Sequence, residues 1–286
     1  MQKSKIEYLT HSWNFYTGCN HWKTGVCAVG ENCWAKCLAD RFHRPFEPTL
    51  HPELLLDPLR LKKPGRIGVC FTGDLFGDLG DPNQSILQYF DPVKSVYGRV
   101  IDEFDGSLKS GIFDVIKISP QHQFFFLTKA LENIQKWGEF PDNAWVGATV
   151  WNGESLAHTN WYMAHALAKN RWLSIEPLMG PLPIIDVLPE LLKVDGIKWI
   201  VIGGWSHSKI QPKIEWVREI VAAADKAGIP VFLKENLRDL LRENDWNLYS
   251  FPAWAGKQGA ITNDTSLLPD GHPSEPMRVL RQELPK

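Results

Sequence analysis

Four of the five cysteines in this 286-residue chain, Cys19, Cys27, Cys33 and Cys37, fall in one segment, WNFYTGCNHWKTGVCAVGENCWAKCLADRF at 13–42. Seven, five and three residues separate them in turn. Thiolates are soft ligands, so several in one loop select zinc or an iron–sulfur cluster over magnesium or calcium. The two close CxxC pairs of a structural zinc site are absent. His11, His21 and His43 could nonetheless complete four zinc ligands, so both metals stay open on spacing alone. Clustering of this kind is not the even framework of a disulfide-stapled domain. Cys70 lies inside a strand pattern and reads as an inert core thiol.

Around this loop the chain alternates apolar runs with amphipathic stretches. The strand candidates are 66–74, 123–130, 144–150, 171–177, 198–204 and 229–235, each nearly continuous in apolar residues, as strands buried on both faces are. Helical patterns fill 154–170 and 214–228, the latter ending in Gly228 before Pro230. A further helix, CWAKCLADRF, follows the thiol loop, which comes before the first clear strand of the series. Such alternation makes βαβ units with a parallel sheet. The count of strands fits either an open doubly wound sheet or a barrel. Strand ends favour an α/β fold with a partial or full parallel (β/α) barrel. Polar or small residues stand at nearly every carboxyl end: Thr72, Gly73 and Asp74; Thr128 and Lys129; Thr149; Ser174 and Glu176; Gly203 and Gly204; Lys234 and Glu235. In a barrel that face carries the active site.

Each of these residues has a structural alternative. Glu176 sits where an unpaired carboxylate is costly, which favours a functional role, although a pair with Lys129 or Lys234 would also satisfy it. Either lysine could hold a carboxylate or phosphate as a point charge. Asp74 could bind a ligand or cap the following turn. Thr149 and Asn152 could reach a ribose or a carboxylate, or serve a turn. Gly203 and Gly204 let backbone approach a ligand closely but make no GxGxxG fingerprint. Trp34 could cover a metal site or an adenine, or pack as a helix-face core residue.

The chain carries 13 Trp, mostly core by expectation, though indole faces also stack on bases. A net charge of -2 gives no global attraction to nucleic acid. No apolar run approaches the roughly 18 residues of a membrane span, and MQKSKIEYLTHSW has no signal-peptide core, so a cytoplasmic protein without membrane contact is expected. One barrel domain is expected over 1–245, with the thiol loop at 13–42. A loop-rich extension over 246–286 would pack on the barrel or trail from it.

The pieces KIEY, WNFYTGC, NCWA with LADRF, HPELLLDPLRLKKPGRI leading into TGDLFGD, FFFLTKALENIQKW, WVGATVWN, SIEPLMGP, VIGGWS and AGIPVFLKE follow one another along most of the chain. In that order they resemble the phage-associated three-cysteine-motif proteins related to radical S-adenosylmethionine (SAM) enzymes, a family whose function is largely uncharacterised. The resemblance implies a radical SAM type barrel with a [4Fe–4S] cluster on Cys19, Cys27 and Cys33, since Cys33 precedes Trp34-Ala35. Cys37 falls where the family tolerates other residues. Three thiolates leave one iron open to the amino and carboxylate groups of SAM, and electron transfer then gives a 5′-deoxyadenosyl radical that abstracts hydrogen from the substrate.

On this reading Trp34, Thr72, Gly73, Asp74, Thr149, Asn152, Gly203 and Gly204 line the SAM site, and Lys129, Glu176 and Lys234 serve the chemistry. The partners implied are an organic substrate, with a nucleobase, nucleotide or DNA preferred, and a reductant such as flavodoxin or ferredoxin. Two differences stand out. Five residues separate Cys27 from Cys33 where the family usually has two, and Trp205 stands where related sequences carry Glu. The competing expectations are a zinc-stabilised barrel acting in nucleic-acid binding or repair, and a SAM-binding protein without catalysis.

Overall fold

The structure is a computed structural model and describes residues 1–24, 27–77, 80–87, 105–182, 196–205, 211–244 and 280–285. The six expected strands are present as β5 (Arg66–Val69), β6 (Gln123–Thr128), β7 (Ala144–Thr149), β8 (Asn170–Ile175), β9 (Ile197–Ile202) and β10 (Val231–Leu233). They pair in sequence order and in parallel. The sheet starts earlier than expected. β2 (His11–Trp13) lies parallel to β5, and β1 (Gln2–Lys3) adds an antiparallel edge, giving eight strands in the order β1-β2-β5-β6-β7-β8-β9-β10. The thiol loop therefore does not precede the sheet; it is the connection from β2 to β5. Within it, β3 (Tyr16–Thr17) and β4 (Thr49–Leu50) form a small antiparallel pair.

Alternation assigns the two faces of the sheet. Phe124, Phe126, Val146, Leu173, Ile200 and Val231 point to the helical side. There they meet Ile112 and Ile116 of α3 (Leu108–Lys117), Leu156 and Met163 of α4 (Gly153–His165), and Val217 and Ile220 of α5 (Ile214–Ala227). Two short helices, α1 (His21–Thr24) and α2 (Trp34–Arg41), lie in the thiol loop, and α6 (Arg238–Asn244) follows β10. The caps follow local chemistry: the Ser107 hydroxyl accepts from Ser110 N–H at the start of α3, and Gly228 ends α5 at φ +73°.

The opposite face is filled by aromatic rings. Phe125, Trp145, Trp172, Trp199 and Phe232 pack with Tyr8, whose ring meets Trp172, Trp199 and Phe232 edge-on at 5.9, 5.2 and 5.6 Å. Gly147 makes room here, because a Cβ at that position would lie 2.3 Å from the Trp172 indole. The contact between Tyr8 and Phe232 measures the curvature. β2 and β10 are six inter-strand steps of about 4.8 Å apart, so a flat sheet would separate them by about 29 Å. The sheet instead curls until the segment leading into β2 touches β10.

Among the described residues no strand pairing joins β1 to β10. The seam between them is occupied by residues 280–285. Gln282 bridges Phe232 in antiparallel fashion, Leu233 N–H donates to Arg281 O at 2.8 Å, and Glu283 N–H donates to Val231 O at 3.1 Å. Gln282 Nε2 also reaches Glu7 Oε2 at 3.4 Å. Of the expected extension over 246–286, this segment is the described part; 246–279 and Lys286 lie outside the described residues. Among the described residues no helix is long and apolar enough to cross a membrane.

Candidate functional site

The thiol loop is pinned to the carboxyl edge of the sheet through two glycines. Gly18 and Gly73 form a parallel bridge, with Gly18 N–H donating to Thr72 O at 3.1 Å. A Cβ on Gly73 would stand 2.5 Å from Gly18 O, and Gly18, at φ +81°, has Glu47 O where its own Cβ would go. Neither position tolerates a side chain. Cys19 follows and lies in the field of Asp74 and Lys129. Burial pushes its thiol up to about 12, against the His21 N–H that reaches its sulfur at 3.3 Å.

The remaining thiols differ in setting. Cys27 is buried, Cys33 is half-buried at the N-cap of α2, and Cys37 is exposed with its sulfur 3.8 Å from Glu31 O. Cys27 is near enough to Cys19 to act on its charge. Among the described residues, no three His, Cys, Asp or Glu side chains are gathered closely enough to hold a metal ion. The donor set suits a soft metal in chemistry, and ligation would have to draw the loop together. Of the three zinc-candidate histidines, only His21 belongs to this neighbourhood. His11 lies in β2 beside Thr10, and His43 is exposed. Trp34 is not a core residue; it is 40% exposed on α2.

Asp74 is committed to the protein itself. One carboxylate oxygen accepts from Thr128 Oγ1 at 2.7 Å and from Phe76 N–H at 3.1 Å; the other accepts from Lys129 N–H at 2.9 Å. His21 Nδ1 stands 3.5 Å from it. This carboxylate caps the turn after β5 and ties that strand end to the end of β6. Asn152 is likewise a cap: its Oδ1 accepts from Ser155 N–H at 2.9 Å in a reciprocal capping box at the start of α4.

At the other end of the sheet, Lys234 Nζ donates to Glu176 Oε1, so Lys234 rather than Lys129 is the partner of Glu176. The two side chains are 13% and 18% exposed. Gly203 lies against both, since a Cβ there would come within 3.1–3.2 Å of their methylenes and the Glu176 carboxyl carbon. Gly204 is clamped by Asn236, which accepts from its N–H at 3.1 Å and donates to its carbonyl at 2.8 Å. Glu7 completes the group: its carboxylate accepts from Glu235 N–H at 2.9 Å and feels the charges of Lys234 and Glu176. Burial holds the Glu7 carboxyl above the ordinary carboxylate range. Sequence reasoning missed Glu7 and Asn236. The signal for Glu7 was KIEY itself, an acidic residue beside a tyrosine that fills the curled sheet.

Several polar atoms on this edge are buried and have no hydrogen-bond partner among the described residues. They are Thr72 Oγ1, Thr149 Oγ1, Asn14 Oδ1 and Trp205 Nε1. An unsatisfied buried hydroxyl or amide costs about 1–3 kcal/mol, so each of these atoms would gain from a hydrogen-bond partner. A separate cavity of about 500 Å³ opens at the amino ends of β5–β8, lined by Arg66, Gln123, Lys169 and Asn170 among others, and includes none of the expected residues.

The fold and site define a class: an α/β protein with a curled, mostly parallel sheet whose carboxyl edge carries a pinned thiol loop. The chain belongs to a family described as proteins of unknown function (DUF5131), whose model matches residues 3–96 and 93–239. The match takes in the thiol loop and every strand from β2 to β10. No curated protein and no solved structure matches the chain.

Proposed function

We propose that the chain is a radical SAM enzyme on a partial (β/α) barrel spanning 1–245, with a [4Fe–4S] cluster on Cys19, Cys27 and Cys33. The observation that carries the reading is the Gly18–Gly73 bridge, which fastens the thiol loop to the sheet edge where the unsatisfied polar atoms and the Glu176–Lys234 pair also stand. Curvature sufficient to bring Tyr8 onto Phe232 supports the barrel, and free thiols suit a reducing cytoplasm.

When bound, the cluster would supply the electron that cleaves the SAM sulfonium for hydrogen abstraction. The chain's own residues do the rest. Thr72 and Thr149 offer hydroxyls to the SAM ribose or carboxylate, and Gly203 and Gly204 let backbone approach it. Trp34 borders Cys33. Asp74 and Asn152 contribute by holding strand and helix ends in place, and Gly73 by admitting the loop. Lys234, paired with Glu176 and with Glu7 nearby, holds an acidic group of the substrate or delivers a proton; Lys129 does the same beside Cys19. A nucleobase, nucleotide or DNA is the preferred substrate class, and flavodoxin or ferredoxin the preferred reductant.

Anaerobic reconstitution with iron and sulfide tests this. The expected product absorbs near ~400 nm, holds about four irons per chain, and forms 5′-deoxyadenosine from SAM under reduction. Cys→Ala at 19, 27 or 33 should abolish the chromophore, and Cys37→Ala should leave it. Stoichiometric zinc after the same treatment overturns the proposal, and an intact cluster that forms no 5′-deoxyadenosine reduces it to SAM binding.

A further inference from the structure

The amino edge of the sheet, at the other end of the strands from the Gly18–Gly73 bridge, carries polar groups that the proposed chemistry leaves unused. Arg66, the first residue of β5, stands in register with Gln123, the first residue of β6. Gln123 comes two residues before Phe125, so alternation puts both side chains on the aromatic face, one layer from the rings. Phe125 and Trp145 stack in that next layer at 5.7 Å and 16°. The aromatic filling thus gives way to a polar layer, which opens into the cavity of about 500 Å³.

Arg66 is half-buried, and its Nε donates to Tyr8 O at 2.7 Å. Among the described residues no carboxylate pairs with this guanidinium, and its two terminal nitrogens have no partner. Burial lowers its pKa below the ordinary value. A cation drawn partly out of water without a counter-charge is costly. The Gln123 carboxamide beside it likewise has no protein partner among the described residues. Lys169, the other cation of the lining, differs: it is exposed, and its Nζ lies 2.9 Å from Asp142 Oδ2. One uncompensated positive charge therefore faces the cavity. Lys62 and Lys63, exposed just before Pro64, and Lys198, whose Nζ reaches Asn170 Oδ1 at 3.1 Å, add positive potential at the rim.

We infer that this cavity binds the carboxylate of a small organic molecule, held by the Arg66 fork and Gln123, with its apolar body against Pro64, Pro120 and Trp145. A carboxylate brings the single negative charge that Arg66 lacks, and its two oxygens match the two free guanidinium nitrogens. A phosphate dianion exceeds that one free charge. The volume falls within the roughly 300–1,000 Å³ of small-molecule sites. No thiol, metal or SAM takes part, so the inference stands apart from the cluster reading.

Benzoate, ionised at neutral pH, is the probe, and neutral benzamide of the same shape is its control. Titrated at millimolar concentration into the full chain, benzoate should shift the Gln123 side-chain amide and Trp145 indole NMR signals saturably, and less so in high salt. Benzamide should bind at least tenfold more weakly. Gln123→Glu gives Arg66 a carboxylate of its own, so it should raise Tm and weaken benzoate at least tenfold. Arg66→Lys keeps the charge but loses the fork and should also weaken binding; should that variant fail to fold, Gln123→Glu still decides. No saturable shift, equal binding of benzamide, or unchanged affinity in Gln123→Glu overturns the inference. Inorganic phosphate that displaces benzoate at equal concentration assigns the site to phosphate and overturns it too.

Discussion

Lys234 and Glu176 are mostly buried and each is the other's charged partner, so removing one strands the other. Glu176→Gln or Lys234→Met should each lower unfolding stability by about 2–3 kcal/mol, less than for a wholly buried pair. The double variant should recover part of that loss, and a urea double-mutant cycle measures the coupling. Both residues were legible in the sequence as polar strand ends, and an ion pair was one alternative for Glu176, but the choice between Lys129 and Lys234 was not legible. Lys129 and Lys234 lie equally far from Glu176 in strand order, two strands to either side. The intervening strand decides the matter. β9 leads into Gly203, which leaves space for a side chain to cross, whereas β7 ends in Thr149. Asp74 shows the converse: its position at a strand end was visible, but Thr128, Lys129 and His21 converge on it only in the fold.

The long strands and α5 could be read from apolar runs and a terminal glycine because their signals are local. β2 could not, since its three residues, His-Ser-Trp, carry no run and earn strand identity only from pairing with β5. The turn between α3 and β6 holds a titration that the sequence also hides. His122 is buried, its Nε2 lies 2.9 Å from Leu61 O, and burial lowers its pKa from the ordinary 6.5. In the unfolded chain the imidazole takes up a proton near 6.5, and in the folded chain only at lower pH. Stability therefore holds above about 6.5 and falls as pH drops from there through the folded value, by at most about 1.4 kcal/mol per pH unit for one proton. His11 shifts in the same direction. Urea unfolding at pH 7.0 and 5.5 should show this loss, with a shallower pH dependence in His122→Gln.

At the scale of the whole molecule, a curled sheet must do something with its two ends, and here residues 280–285 lie between them. Deleting 280–286 would remove the two β10 backbone bonds and the bond from Trp199 Nε1 to Glu283 O at 2.8 Å. The expected cost is about 2–4 kcal/mol, visible as a lower Tm and urea midpoint. Strand–helix alternation made the α/β class legible, and polar strand ends pointed to the curl. The seam was not legible, because Arg-Gln-Glu has no strand pattern and acquires its role from the edge it meets. The aromatic filling of the curl has a spectroscopic meaning. Trp172 and Trp199 lie 5.2 Å apart at 36°, close enough for their excited states to couple and give a paired band of opposite signs in circular dichroism. Because the Trp199 indole is also held by Glu283, the molecule carries a built-in optical gauge of whether its own tail is seated.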